Sequence, residues 1–92
     1  MRKNTRNMSE NFDLKEFIRS IRYLPKVELR RLCIECEMSD RETYAITAYI
    51  YDMKGIAEIA NTLNMSISQF NYNKERVAKR LWNYLKLIDY PV

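Results

Sequence analysis

The stretch from Lys54 to Leu81, KGIAEIANTLNMSISQFNYNKERVAKRL, constrains the fold more than any other part of this chain. Ile56, Ile59, Ala60 and Leu63 recur at helical spacing, and Ile67, Phe70, Val77 and Leu81 resume the stripe beyond Met65. Ser66 with Gln69 three positions later is a capping box, so the second helix is expected to start at about Ile67. Ala60 stands where two crossing helices need a small side chain for their backbones to approach. Ile67 and Phe70 are both expected to face the core.

A connection this short is the length a helix-turn-helix uses. The run E-I-A-x-x-L-x-M-S-x-S-Q-F over residues 58–70, followed by E-R-V-A-K-R-L over 75–81, resembles the helix-turn-helix of bacterial sigma factor region 4 and its phage or mobile-element relatives. In that resemblance Ile59 and Ala60 take the family's Ile-Ala pair, Leu63 its core leucine and Ser66 the cap of its recognition helix. Phe70 takes the usual Val position, and Arg76, Val77 and Leu81 match the family's Arg-Ala and downstream Leu. The likeness covers residues 40–85. Asn64 stands where the family usually has Gly, and it tolerates positive φ better than most residues. Lys74 stands where the family often has an apolar side chain.

Side chains near the start of a recognition helix reach base edges in the major groove. Ser68, Gln69, Asn71, Tyr72 and Asn73 form an amide- and hydroxyl-rich set there, although Asn is a poor helix former. Asn and Gln pair bidentately with adenine, which points to A·T-containing sites. Lys54, Ser66, Arg76, Lys79 and Arg80 are placed for phosphates. Residues 66–81 carry four cations against Glu75 alone, and Arg2, Lys3 and Arg6 open the chain without an acid. That distribution says more than the overall net charge of +4.

Ninety-two residues with one glycine, two prolines and 47% hydrophobic content favour an all-α fold. The expectation is a single small domain of about five helices over 12–92, with a long C-terminal recognition helix and a disordered basic tail over 1–11. Asp13 and Glu16 form a second capping box, opening a helix with Leu14, Phe17, Ile18 and Ile21 on one face. Pro25 ends that helix and can serve as first residue of the next. The second helix, to about Glu37, turns Leu29, Leu32, Cys33 and Cys36 inward and Arg30 and Arg31 outward. Ser39 and Glu42 form a third box, for a helix to about Met53 that packs through Tyr44 or Ala45, Ala48, Tyr49 and Met53. Gly55 reads as its left-handed C-terminal cap.

The last helix continues as a seam through Leu85 and Ile88, with Trp82, Tyr84 and Leu87 adding apolar surface. It either folds back on the N-terminal helices, the favoured reading, or meets a second copy, so monomer and homodimer both stay open. No run of 18 apolar residues and no leader pattern is seen, which makes a cytoplasmic location the default expectation. Cys33 and Cys36 make a CxxC, but a zinc site needs four ligands, and the chain has no histidine and no second cysteine pair. Two small apolar side chains in a core is the plainer reading.

No cofactor is expected, and no histidine base, phosphate loop or carboxylate pair points to catalysis, so a non-enzyme is expected. The leading expectation is a sequence-specific DNA-binding transcription regulator with double-stranded DNA as partner. Contact with RNA polymerase is what the resemblance adds. The alternatives are a protein-interaction module that binds polymerase or another host factor through a helical surface, and a phage DNA-packaging or recombination accessory protein.

Overall fold

Five helices follow one another in the computed structural model, which describes residues 12–91. They are α1 (Leu14–Ile21), α2 (Lys26–Glu35), α3 (Asp40–Ile50), α4 (Ile56–Thr62) and α5 (Ile67–Leu87), with no strand among the described residues. The all-α expectation of about five helices holds. The tail expected over 1–11 lies outside the described residues.

Two of the three expected capping boxes close from both sides. At α3, Ser39 Oγ accepts from the Glu42 amide at 3.1 Å while Ser39 N donates to Glu42 Oε1 at 2.9 Å. At α5, Ser66 Oγ accepts from the Gln69 amide at 3.0 Å and Ser66 N donates to Gln69 Oε1 at 2.8 Å. At α1 only half forms: Asp13 Oδ1 takes the amides of Lys15 and Glu16, and Glu16 turns instead to Arg19, 3.0 Å away. Pro25 is the N-cap of α2, one residue outside the helix rather than its first member.

Helix ends in this chain are made without glycine. Glu37, Asn64 and Asp89, with φ of 62°, 58° and 57°, follow α2, α4 and α5 in the left-handed region. After each, the next amide reaches back five residues: Met38 to the Cys33 carbonyl, Met65 to Ala60, and Tyr90 to Leu85, at 2.8–3.0 Å. These are Schellman closures, and the apolar residue that follows each turn packs into or against the core. The α2 end therefore falls at Glu35, short of the expected Glu37. Glu37 is exposed and bears the left-handed penalty of a Cβ, so Glu37→Gly should raise unfolding stability by about 0.5–1 kcal/mol in a urea titration. A loss would show that its side chain does more than sit in solvent.

Gly55 departs from expectation. It is the N-cap of α4 with φ of −67°, and the left-handed residue after α3 is Met53, with φ of 54°. Met53 is 83% exposed, so it does not pack against neighbours as expected. A Cβ on Gly55 would meet nothing within 4 Å, so neither space nor φ demands glycine there.

The core has two parts. The larger is built from α1, α2, α3 and the C-terminal half of α5, around Ile21, Leu29, Leu32, Ile46, Leu81 and Leu85. The smaller lies under the α4–α5 pair, around Phe70, Ile59, Leu63 and the alanines at 45, 48 and 60. Ala60, 2% exposed, sits in the contact between α4 and α5 as expected. Tyr49 packs against both parts.

The long α5 does fold back on the N-terminal helices. Leu81 and Leu85 are buried, and the Phe12 ring lies 5.2 Å from that of Trp82 and 5.7 Å from that of Phe17. The seam stops there: Leu87 and Ile88 are 82% and 42% exposed. No helix among the described residues is long and apolar enough to cross a membrane.

Candidate nucleic-acid interface

α4 and α5 are joined by residues 63–66, and the second of the pair starts at Ile67, as the cap residues require. At about 3.6 residues per turn, Phe70, Lys74, Val77, Ala78 and Leu81 share the face that α5 turns to the protein, and all five are buried. Ile67 lies on the first turn, ahead of Phe70, and is 51% exposed, contrary to its expected place in the core. The opposite face carries Ser68, Tyr72 and Lys79, with Glu75 and Arg76 beside them, all exposed.

The ten residues expected at an interface do not form one surface. Ser68, Tyr72 and Lys79 point outward, and no side-chain bond engages them among the described residues. Tyr72 is 70% exposed. Asn71 and Asn73 fall on opposite flanks of α5. Asn71 Oδ1 accepts from Lys74 Nζ at 3.3 Å. Asn73 uses both ends of its amide, donating to the Gln69 carbonyl at 2.9 Å and accepting from Arg76 at 3.1 Å. Ser66 Oγ and Gln69 Oε1 are committed to the cap. Lys54 is half-buried and donates to the Tyr44 hydroxyl at 3.4 Å, with its ammonium 5.7 Å from the centre of that ring.

The expected phosphate cations are corrected most by Glu42. Its carboxylate lies 3.2 Å from Arg80 and 3.4 Å from Arg76, so both guanidinium groups face an acid on α3. Arg80 also donates to the Cys36 carbonyl at 3.2 Å and acts as a bracket between helices. Arg76 stays at the edge with its side chain 44% exposed. Lys79 is the expected α5 cation left without a partner among the described residues. The Ser39 amide first, and then Arg80 and Arg76, hold the Glu42 carboxyl below the usual carboxylate range against the opposing effect of burial.

Sequence reasoning missed the cations that tertiary structure brings in from elsewhere. Arg41 reaches the Leu63 carbonyl at the α4–α5 connection. Lys15 and Arg19 on α1 and Arg22 at its C-cap line a cleft of about 400 Å³ together with Tyr49 and Lys74. Nothing in the spacing of residues 15–22 points toward residue 74.

The cysteines are free, Cys33 buried and Cys36 half-buried at the C-cap of α2. Burial, and secondarily the neighbouring thiol, pushes Cys33 up to about 11, and burial likewise raises Cys36. Both are neutral thiols near pH 7, poor nucleophiles and poor metal ligands in that state. No group of three or more metal-ligating side chains occurs among the described residues.

Set against protein families, curated proteins and solved structures, the chain finds no match in any of the three comparisons.

Proposed function

We propose that the protein is a non-catalytic, sequence-specific DNA-binding regulator that uses α4, the short connection and α5 as a helix-turn-helix. The start of α5 enters the major groove, in the manner implied by the resemblance to sigma factor region 4. The observation that carries this reading is the outward face of α5. It is a rigidly capped helix whose exposed side holds Ser68, Tyr72 and Lys79, none of them bonded through its side chain to the rest of the described residues. Tyr72 and Ser68 are the base-reading candidates, with Asn71 beside them on one flank. Lys79, and Arg76 in competition with Glu42, serve the phosphates.

The test is a gel shift on a random-sequence duplex pool at several salt concentrations. Tyr72→Ala should abolish selection of preferred sites while leaving weak general binding. Lys79→Gln should weaken all sequences alike and lower the slope of log K against log salt by about 1. Failure of the parent protein to bind any duplex at low salt sinks the reading.

A protein-binding role has one observation in its favour. Tyr23, Val27 and Ile34, 88%, 73% and 70% exposed, make a stripe along and just before α2 that the exposed Arg30 and Arg31 interrupt. Binding of a protein such as polymerase through that stripe would respond little to salt, whereas duplex binding falls steeply.

A further inference from the structure

The cleft between α1, α3 and α5 has a charge that the protein does not balance. Lys74 is 8% exposed, yet no carboxylate among the described residues pairs with it. Its ammonium has the Asn71 carbonyl oxygen at 3.3 Å and the faces of Tyr49 and Phe70, with ring centres 4.5 and 5.8 Å away. Ring faces and one amide oxygen attract a cation but do not neutralise it, and a charge withdrawn from water gains most from an ion of opposite sign.

The rim repeats the same sign. Lys15 and Arg22 carry no side-chain partner among the described residues, and Arg19 is the one rim cation with an acid, Glu16, 3.0 Å away. Tyr49 also lines the cleft, and its hydroxyl meets no protein acceptor among the described residues. Two cations on α1, a third at its C-cap, one buried cation and a hydroxyl without a protein acceptor form a receptor for a tetrahedral oxyanion. Asn71, on the flank of α5 that faces this cleft, links it to the polar start of the helix.

We propose that this cleft is a phosphate site, and that its occupant is a backbone phosphate of the duplex strand lying along that flank of α5. The proposal rests on the DNA-binding reading above and extends the footprint to α1, a helix outside the helix-turn-helix. Lys74 supplies the inner charge, Arg22 and Lys15 close over the phosphate oxygens, and Tyr49 donates from the α3 side.

Lys15→Gln with Arg22→Gln tests it, because both residues are exposed and their side chains make no bonds among the described residues, so the fold is kept. An unchanged circular-dichroism melting midpoint checks this. The double variant should bind a random-sequence duplex about tenfold more weakly at low salt and lower the salt slope by about 1–2, with unchanged preference among sites. Lys74→Met, which keeps the buried stem, should act in the same direction. Arg30→Gln removes an exposed cation on α2 and should leave the slope unaltered.

A double variant with the parent's slope, or an Arg30→Gln slope that falls as far as that of Arg22→Gln alone, overturns the cleft assignment while leaving duplex binding by α5 intact. Inorganic phosphate titrated into isotope-labelled protein separates the sources. Amide shifts at Arg22, Tyr49 and Lys74 without any effect of the double variant on duplex binding mark a free-phosphate site and overturn the backbone assignment. A parent that binds no duplex fails earlier, at the DNA-binding reading itself.

Discussion

Phe70→Ala is expected to lower the unfolding free energy by about 3–5 kcal/mol, the range for removing a fully buried aromatic ring. Phe70 is 0% exposed and is the largest side chain of the smaller core. Three of its neighbours there are Ala45, Ala48 and Ala60, which have no rotamers with which to fill the space. The loss belongs at the upper end of the range for that reason, and the contact with Tyr49, ring centres 6.3 Å apart, adds to it.

The damage should be local before it is global. α4 has seven residues, too few to hold a helix in water without docking, and its buried side chains are Ile59 and Ala60. Hydrogen exchange of the amides of residues 59–63 should rise well before those of α2 or the second half of α5. Urea titration checks the total, and Phe70→Leu should cost less than about 1.5 kcal/mol by preserving most of the volume. A loss under about 1 kcal/mol for the alanine variant would mean that α4 and α5 are not packed through this ring.

Glu42→Ala should cost about 2 kcal/mol, because one carboxylate serves two structures. It closes the capping box of α3, worth about 1 kcal/mol, and it meets Arg76 and Arg80 of α5. Those side chains are 44% and 40% exposed, so the two pairs together contribute no more than about 1 kcal/mol after solvent screening. Glu42→Gln keeps an oxygen for the Ser39 amide and should lose only the second part.

The pH dependence follows from the direction of the shift. A carboxyl whose folded pKa lies below its unfolded value, 4.5, adds stability above that value and loses it as pH falls through the folded one. Glu28, lowered to about 2 by bonds from Arg31 and then Tyr90, acts in the same sense. Stability should therefore fall between about pH 4.5 and 2, and Glu42→Gln should flatten that fall. The same change frees Arg76 and, on the proposed function, should tighten duplex binding and steepen its salt slope. Equal acid sensitivity in parent and variant would remove Glu42 from this account.

Features that depend on residues three or four apart are legible in the amino-acid sequence. Ser39 with Glu42 and Ser66 with Gln69 announce two helix starts, because each cap is satisfied within its own turn. The buried face of α5 is legible as far as Leu85, since a 3.6-residue period maps directly onto one side of a helix. The helix ends are harder. A lone Gly55 points to a left-handed cap, but the chain puts Glu37, Met53, Asn64 and Asp89 in that region instead. At three of these, the packing of Met38, Met65 and Tyr90 offsets the local penalty, a contribution no short window contains.

The candidate site divides along the same line. That the first turns of α5 are polar and capped is written in residues 66–73, because capping and exposure there are local properties. Whether a given cation faces solvent is not. Arg80 turns to an acid 38 positions earlier, and Lys74 lies in a cleft whose rim comes from residues 15–22. The sequence by itself determined the helices, the starts of α3 and α5 and most of the apolar side of each, since these follow from propensity and period. Only the tertiary structure decided which charges are paired and which remain open, because Coulomb attraction depends on distance in space and not on separation along the chain.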